Sequence, residues 1–104
     1  MIRKWRDTPF LIEGLDRFVE AYSGPNPNYK EARISCVSIT AGCGILGRAL
    51  IDREQKSKAS KDILDTYSHR LPDDEAKTHL RIAVESALLG PKTITRHLLP
   101  GGEA

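Results

Sequence analysis

The sequence predicts an all-α domain, a compact bundle of about four helices around one long central helix. Three observations predict it. Apolar residues recur at steps of three and four in separate stretches, and Gly-Pro or Pro-rich breaks punctuate those stretches. Aromatic residues are few (Trp5, Tyr22, Tyr29, Tyr67, Phe10 and Phe18), so the core must be built from small and aliphatic side chains. That favours closely packed helices over an aromatic-rich sandwich.

The first helix is signalled by Thr8 as a cap and Pro9 at a position where a first helical turn tolerates it. Leu11, Leu15, Phe18 and Tyr22 follow at helical spacing, widened by Ile12 and Val19, until Ser23-Gly24-Pro25 stops the run. After the PNPN connector, Asn28 and Glu31 make a capping-box-like start. Tyr29, Ala32, Cys36, Ile39, Cys43, Leu46 and Leu50 then form one seam, with Lys30, Arg33, Ser35, Ser38 and Arg48 between them. The pattern reaches about Arg53, roughly 37 Å of helix at the usual rise. DREQKSKASKD is polar and reads as a helix end plus loop, with Ser57 or Ser60 capping a short third helix. Ile63, Leu64, Tyr67 and Leu71 supply its buried side. Pro72 breaks the chain, and Asp73, Asp74 and Glu75 give the fourth helix an acidic first turn that suits the helix dipole. Ala76, Leu80, Ala83, Val84, Ala87 and Leu88 point inward until Gly90-Pro91, and Ile94, Leu98 and Leu99 are expected to dock onto the bundle. The 104 residues read as a single domain with flexible ends at 1–7 and 100–104.

One motif competes with this reading. Gly42, Gly44 and Gly47 spell GCGILG, a literal G-x-G-x-x-G, and Val37, Ile39 and Ala41 alternate up to it as a strand would. Asp65 lies 18 residues beyond Gly47, near where an acidic ribose ligand belongs. A nucleotide-binding protein is therefore one alternative function, and an α+β fold with ISCVSIT as a strand is the alternative architecture. The context opposes both, because no second strand and no further parallel sheet follow, and half of a doubly wound fold does not fit. In the helical reading three glycines cost roughly 1 kcal/mol each relative to Ala, which packing must offset. Cys36, Thr40, Gly44 and Gly47 then form a small-residue strip against which another helix packs closely, and the central helix is gripped on two sides.

Other chemistry is sparse. Cys36 and Cys43 would lie two turns apart on a helix, about 10.5 Å, too far for a mutual disulfide, and read as two reduced, buried thiols. His69, His79 and His97 show no metal-ligand spacing with them and read as surface residues, so no metal or cofactor is expected. Asp62, Asp65 and His69 share a helix face, yet such carboxylate–histidine sets are more often surface contacts than acid/base pairs. No nucleophile has a recognisable context, and the chain is not expected to be an enzyme.

With 16 basic against 14 acidic residues the chain is nearly balanced, which argues against a dedicated nucleic-acid binder. The basic residues are nonetheless clustered: Arg3, Lys4 and Arg6 around Trp5, then Arg53, Lys56, Lys58 and Lys61, then Lys92 and Arg96. A nucleic-acid-binding regulator using the 53–61 loop and the basic ends is thus a second alternative, with Trp5 free to stack. The longest uncharged run, fourteen residues between Arg33 and Arg48, falls short of the roughly 20 a membrane span needs. The N-terminus lacks a signal-peptide pattern, so a cytoplasmic location is expected. The leading functional expectation is a small non-enzymatic regulatory or inhibitory protein that binds another protein, with itself as a possible partner. Three helices shorter than the central one would leave part of its surface uncovered.

Overall fold

The computed structural model describes residues 5–50 and 52–90. Its organising unit is an antiparallel hairpin of α1 (Pro9–Tyr22) and α2 (Tyr29–Ala49). Two glycines, one from each helix, allow the backbones to meet. A Cβ at Gly42 would stand 2.6 Å from Leu11 Cα, and one at Gly14 would stand 2.8 Å from the Ile39 amide nitrogen. Leu11 and Ile39 are both fully buried, so each helix presses a large residue onto the other's glycine one turn away. Leu15, Phe18, Ala32, Cys43 and Leu46 complete this half of the core.

A second pair, α3 (Arg53–Ser68) and α4 (Asp74–Leu89), packs against the hairpin. His79 lies beside Cys36, and Leu88 Cδ2 is the nearest atom to a Cβ placed at Gly47, so α4 runs parallel to α2. Contacts of α3 and the turn after it with the hairpin run through side chains of the first helix: Tyr67 donates to Asp16 Oδ1 at 3.2 Å, and Arg70, just past the end of α3, approaches the same oxygen at 3.8 Å. A short 3₁₀ turn, Trp5–Asp7, folds over this seam. The Trp5 ring meets Tyr67 edge to face, and its Nε1 donates to Asp62 Oδ2 at 2.6 Å. Ile63, Tyr67, Leu71, Ala76, Leu80 and Val84 fill the second half of the core.

The helix starts follow side-chain chemistry. Asn28, Asp52 and Asp73 each accept a hydrogen bond from the amide three residues on, at 3.0, 2.8 and 2.9 Å. Gly90 ends α4 at φ +104°, a conformation that disfavours any side chain.

The expected all-α bundle of four helices is what the chain forms: ISCVSIT is helical throughout, no strand occurs among the described residues, and the α+β alternative falls. Several other expectations are corrected. The central helix stops at Ala49, not near Arg53, because Leu50 turns to an extended conformation and the Asp52 cap starts a new helix. Residues 53–61 are accordingly two turns of α3 and not a loop; Ser60 is buried inside that helix instead of capping it. Thr8 stands at the N-cap of α1 but makes no side-chain capping bond. Trp5 is 5% exposed, so the turn at 5–7 is held and the indole is unavailable for stacking. The expected docking of Ile94, Leu98 and Leu99, and the expected flexible end at 100–104, lie outside the described residues.

The small-residue strip is also corrected. Thr40 and Gly44 are exposed, and a Cβ at Gly44 would meet nothing within 4 Å; the glycines that carry close approach are Gly42 and Gly14. Opposite outcomes follow for neighbouring glycines. Gly42→Ala should destabilise the protein by about 1–3 kcal/mol or more, since it forces backbone against backbone. Gly44→Ala should stabilise it by about 0.5–1 kcal/mol through helix propensity alone. Urea unfolding of both variants checks the pair, and a loss of stability in Gly44→Ala would contradict the packing described.

Candidate functional site

The outward side of α2 carries a second apolar stripe. Ile34, Val37, Ala41 and Ile45 follow at steps of three and four, all exposed, with Val37 70% exposed. Thr40 and Gly44 lie on the same face and keep its middle low. Lys30 and Arg33 stand at one end and Arg48 at the other, and none of the three has an ion-pair partner among the described residues. This face is bare because α1 and α4 pack on the other sides of α2. The buried seam of α2 (Ala32, Ser35, Ile39, Gly42, Cys43 and Leu46) already faces the hairpin and α4.

Two shallow depressions meet on the flank of this face and share Arg33. One, of about 470 Å³, is lined by Arg33, Cys36, Val37, Thr40 and Ala41. The other, of about 290 Å³, is lined by Tyr22, Tyr29, Arg33, Glu75 and His79. Between them His79 is held on both ring nitrogens. Its Nδ1 lies 2.8 Å from the Tyr22 hydroxyl and its Nε2 3.7 Å from Cys36 Sγ. The imidazole also stands edge-on to Phe18 at 5.0 Å between centroids. Burial lowers the His79 pKa below its ordinary value; Arg33 adds to that, and Glu75 opposes it. Burial raises the Cys36 thiol, and pushes the fully buried Cys43 thiol up to about 12.

The residues singled out in the sequence are scattered. Cys36 and Thr40 line the first depression, while Gly47 faces Leu88. Arg6 stacks on Trp5 at 4.3 Å and pairs with Asp62 at 3.4 Å. Arg53 donates to the Leu89 carbonyl at 3.1 Å, closing the C-terminal end of α4. Lys56, Lys58 and Lys61 sit on α3, where the helical turn sets Lys56 and Lys58 on nearly opposite sides, and the helix also carries Glu54, Asp62 and Asp65. Arg3 and Lys4 lie outside the described residues. Asp62 is spent on Trp5 and Arg6, and no hydrogen bond joins it to His69. Gly42–Gly47 lie in mid-helix, where the backbone amides serve the helix ladder and cannot cradle a pyrophosphate. No group of three or more metal-capable side chains occurs among the described residues, and no described helix is long and apolar enough to cross a membrane.

The sequence reading missed both the bare stripe and the His79 cluster. Ile34, Val37 and Ile45 were a signal in themselves, since a helix apolar on two sides has a second face to cover. Tyr22, Cys36 and His79 are far apart in the chain and only the fold brings them together.

The lowered His79 pKa has a consequence for stability. The unfolded chain binds this proton more readily than the folded one, so stability rises with pH through the window just below the ordinary 6.5 and is lost on acidification. The groups facing the imidazole are Tyr22 of α1, Arg33 and Cys36 of α2, and Glu75 of its own helix. His79→Gln should remove this part of the pH dependence; melting curves between pH 5 and 7.5 for both proteins check it, and parallel curves would refute it. Compared with known proteins, the chain matches no family model, no curated protein and no solved structure.

Proposed function

We propose that this chain is a small non-enzymatic regulatory or inhibitory protein that binds another protein through the outward face of α2. The observation that carries the reading is the apolar stripe Ile34, Val37, Ala41 and Ile45 on the longest helix, exposed and not covered by α1, α3 or α4. A contiguous apolar surface of this kind on a rigid helix is what a helix-binding interface requires. Thr40 and Gly44 let a partner helix come close, as small residues do at helix crossings. Charge selects the occupant. Lys30, Arg33 and Arg48 frame the stripe without acidic partners, so a second copy would bring like charges together, whereas an amphipathic helix with acidic flanks would complement them. The partner proposed is therefore a protein presenting an acidic amphipathic helix.

The nucleic-acid reading lacks such support. Arg53 is engaged with the Leu89 carbonyl, α3 also carries Glu54, Asp62 and Asp65, and Trp5, the stacking group of that reading, is buried.

A designed amphipathic helical peptide with leucines on one face and glutamates at its edges should bind the protein in an anisotropy titration. The same peptide with lysines in place of the glutamates should bind at least about tenfold more weakly. Val37→Glu, at an exposed position, should abolish binding and leave the melting temperature unchanged. Equal binding of the two peptides, or no effect of Val37→Glu, overturns the proposal. A homodimer in light-scattering chromatography that Val37→Glu dissolves makes a second copy the occupant instead. Duplex DNA binding that weakens steeply with salt, and is lost on charge reversal at Lys56, Lys58 and Lys61, transfers the function to α3.

A further inference from the structure

Tyr22, His79 and Cys36 form a chain of contacts drawn from three helices. It runs from a phenol on α1 through an imidazole on α4 to a thiol on α2. With the imidazole proton on Nδ1, that N–H donates to the Tyr22 oxygen, and the Nε2 lone pair points at Cys36 Sγ 3.7 Å away. This is the order of a nucleophile, a base and a group that orients the base. Cys36 is half-buried and lines an open depression that contains no acidic side chain. Arg33 stands on the rim of that depression with no ion-pair partner among the described residues. An uncommitted guanidinium beside an apolar groove suits a small molecule with carboxylates.

We propose that Cys36 is a modification site that forms a mixed disulfide with a small carboxylate-bearing disulfide, with His79 accepting the thiol proton and Arg33 holding the carboxylates. Cys36 Sγ attacks one sulfur of the incoming disulfide as its proton passes to His79 Nε2. One sulfur–sulfur bond forms and one breaks, and the departing thiolate takes the proton from the imidazolium and leaves as a free thiol. Cys36 is oxidised, the departing sulfur is reduced, and no other oxidant is needed. Burial raises the Cys36 thiol and lowers the His79 imidazole, which favours both neutral forms, so the proton moves during the attack and not before it. The adduct would lie across the flank of the proposed docking face. The reaction nonetheless belongs to the chain alone and does not depend on a partner.

The test treats the reduced protein, without partner, with glutathione disulfide and follows the adduct by intact mass and peptide mapping. Cys36 should be modified and Cys43, fully buried, should not. His79→Asn should slow the reaction at least about tenfold while the protein stays folded by circular dichroism. Tyr22→Phe, which keeps the ring and removes only the hydroxyl, gives the second reading if His79→Asn fails to fold, and should also slow it. Arg33→Gln should slow the reaction with glutathione disulfide and leave that with the uncharged hydroxyethyl disulfide unchanged. An unreactive Cys36, equal reaction at both cysteines, or a wild-type rate in whichever of His79→Asn and Tyr22→Phe folds would overturn the proposal. Docking of the acidic peptide is measured separately, so either idea can fail without the other.

Discussion

Everything else in this small domain depends on the mutual burial of Leu11 on Gly42 and of Ile39 on Gly14. Aliphatic packing gains most when backbones are close, because dispersion falls steeply with separation and a gap smaller than water gains nothing. With few aromatic side chains available, close approach is how this chain fills its interior. The two glycines cost helix propensity, and the contacts they admit offset it. The placement also fixes register: a shift of one residue along either helix would set a side chain where only a hydrogen fits.

The register decides what the rest of α2 does. With Ala32, Ser35, Ile39, Gly42, Cys43 and Leu46 turned inward, Ile34, Val37, Ala41 and Ile45 must turn outward. The bare stripe is thus a geometric consequence of the hairpin. It is also an apparent waste for a chain that had polar residues to put there, which is why the proposal treats it as a surface in use. The Tyr22–His79–Cys36 contacts arise where the fourth helix runs parallel to the second and meets the hairpin near the Tyr22 end of α1.

Much of the fold was legible because the signals were local. The seam of α1, the acidic first turn of α4 and the Asn28 cap are each written in a few consecutive residues, and each is present. Errors arose where the sequence permits two local answers. Asp52, followed by a charged run, looked like a helix end, yet an aspartate with three helix formers behind it also starts a helix, and that is what it does. The three glycines of GCGILG read in the sequence as one motif, although a helix sends residues 42 and 44 to different sides. Which glycine meets Leu11 depends on a helix about thirty residues earlier in the chain, and no local pattern contains it. The docking stripe was written in the sequence as apolar residues off the main seam; the histidine cluster was not, since its members come from three helices.

The position of Trp5 gives the molecule a built-in reporter. It is the only tryptophan in the chain, and its ring rests on Tyr67 with its nitrogen bonded to Asp62, both on α3. Because the turn that carries the indole leads directly into α1 while its partners lie on α3, the indole senses the seam where the two helix pairs join. Its emission would follow the joining of the pairs while circular dichroism follows the helices themselves. Whether the two signals change together would show if the bundle opens as one cooperative body or releases its second pair first.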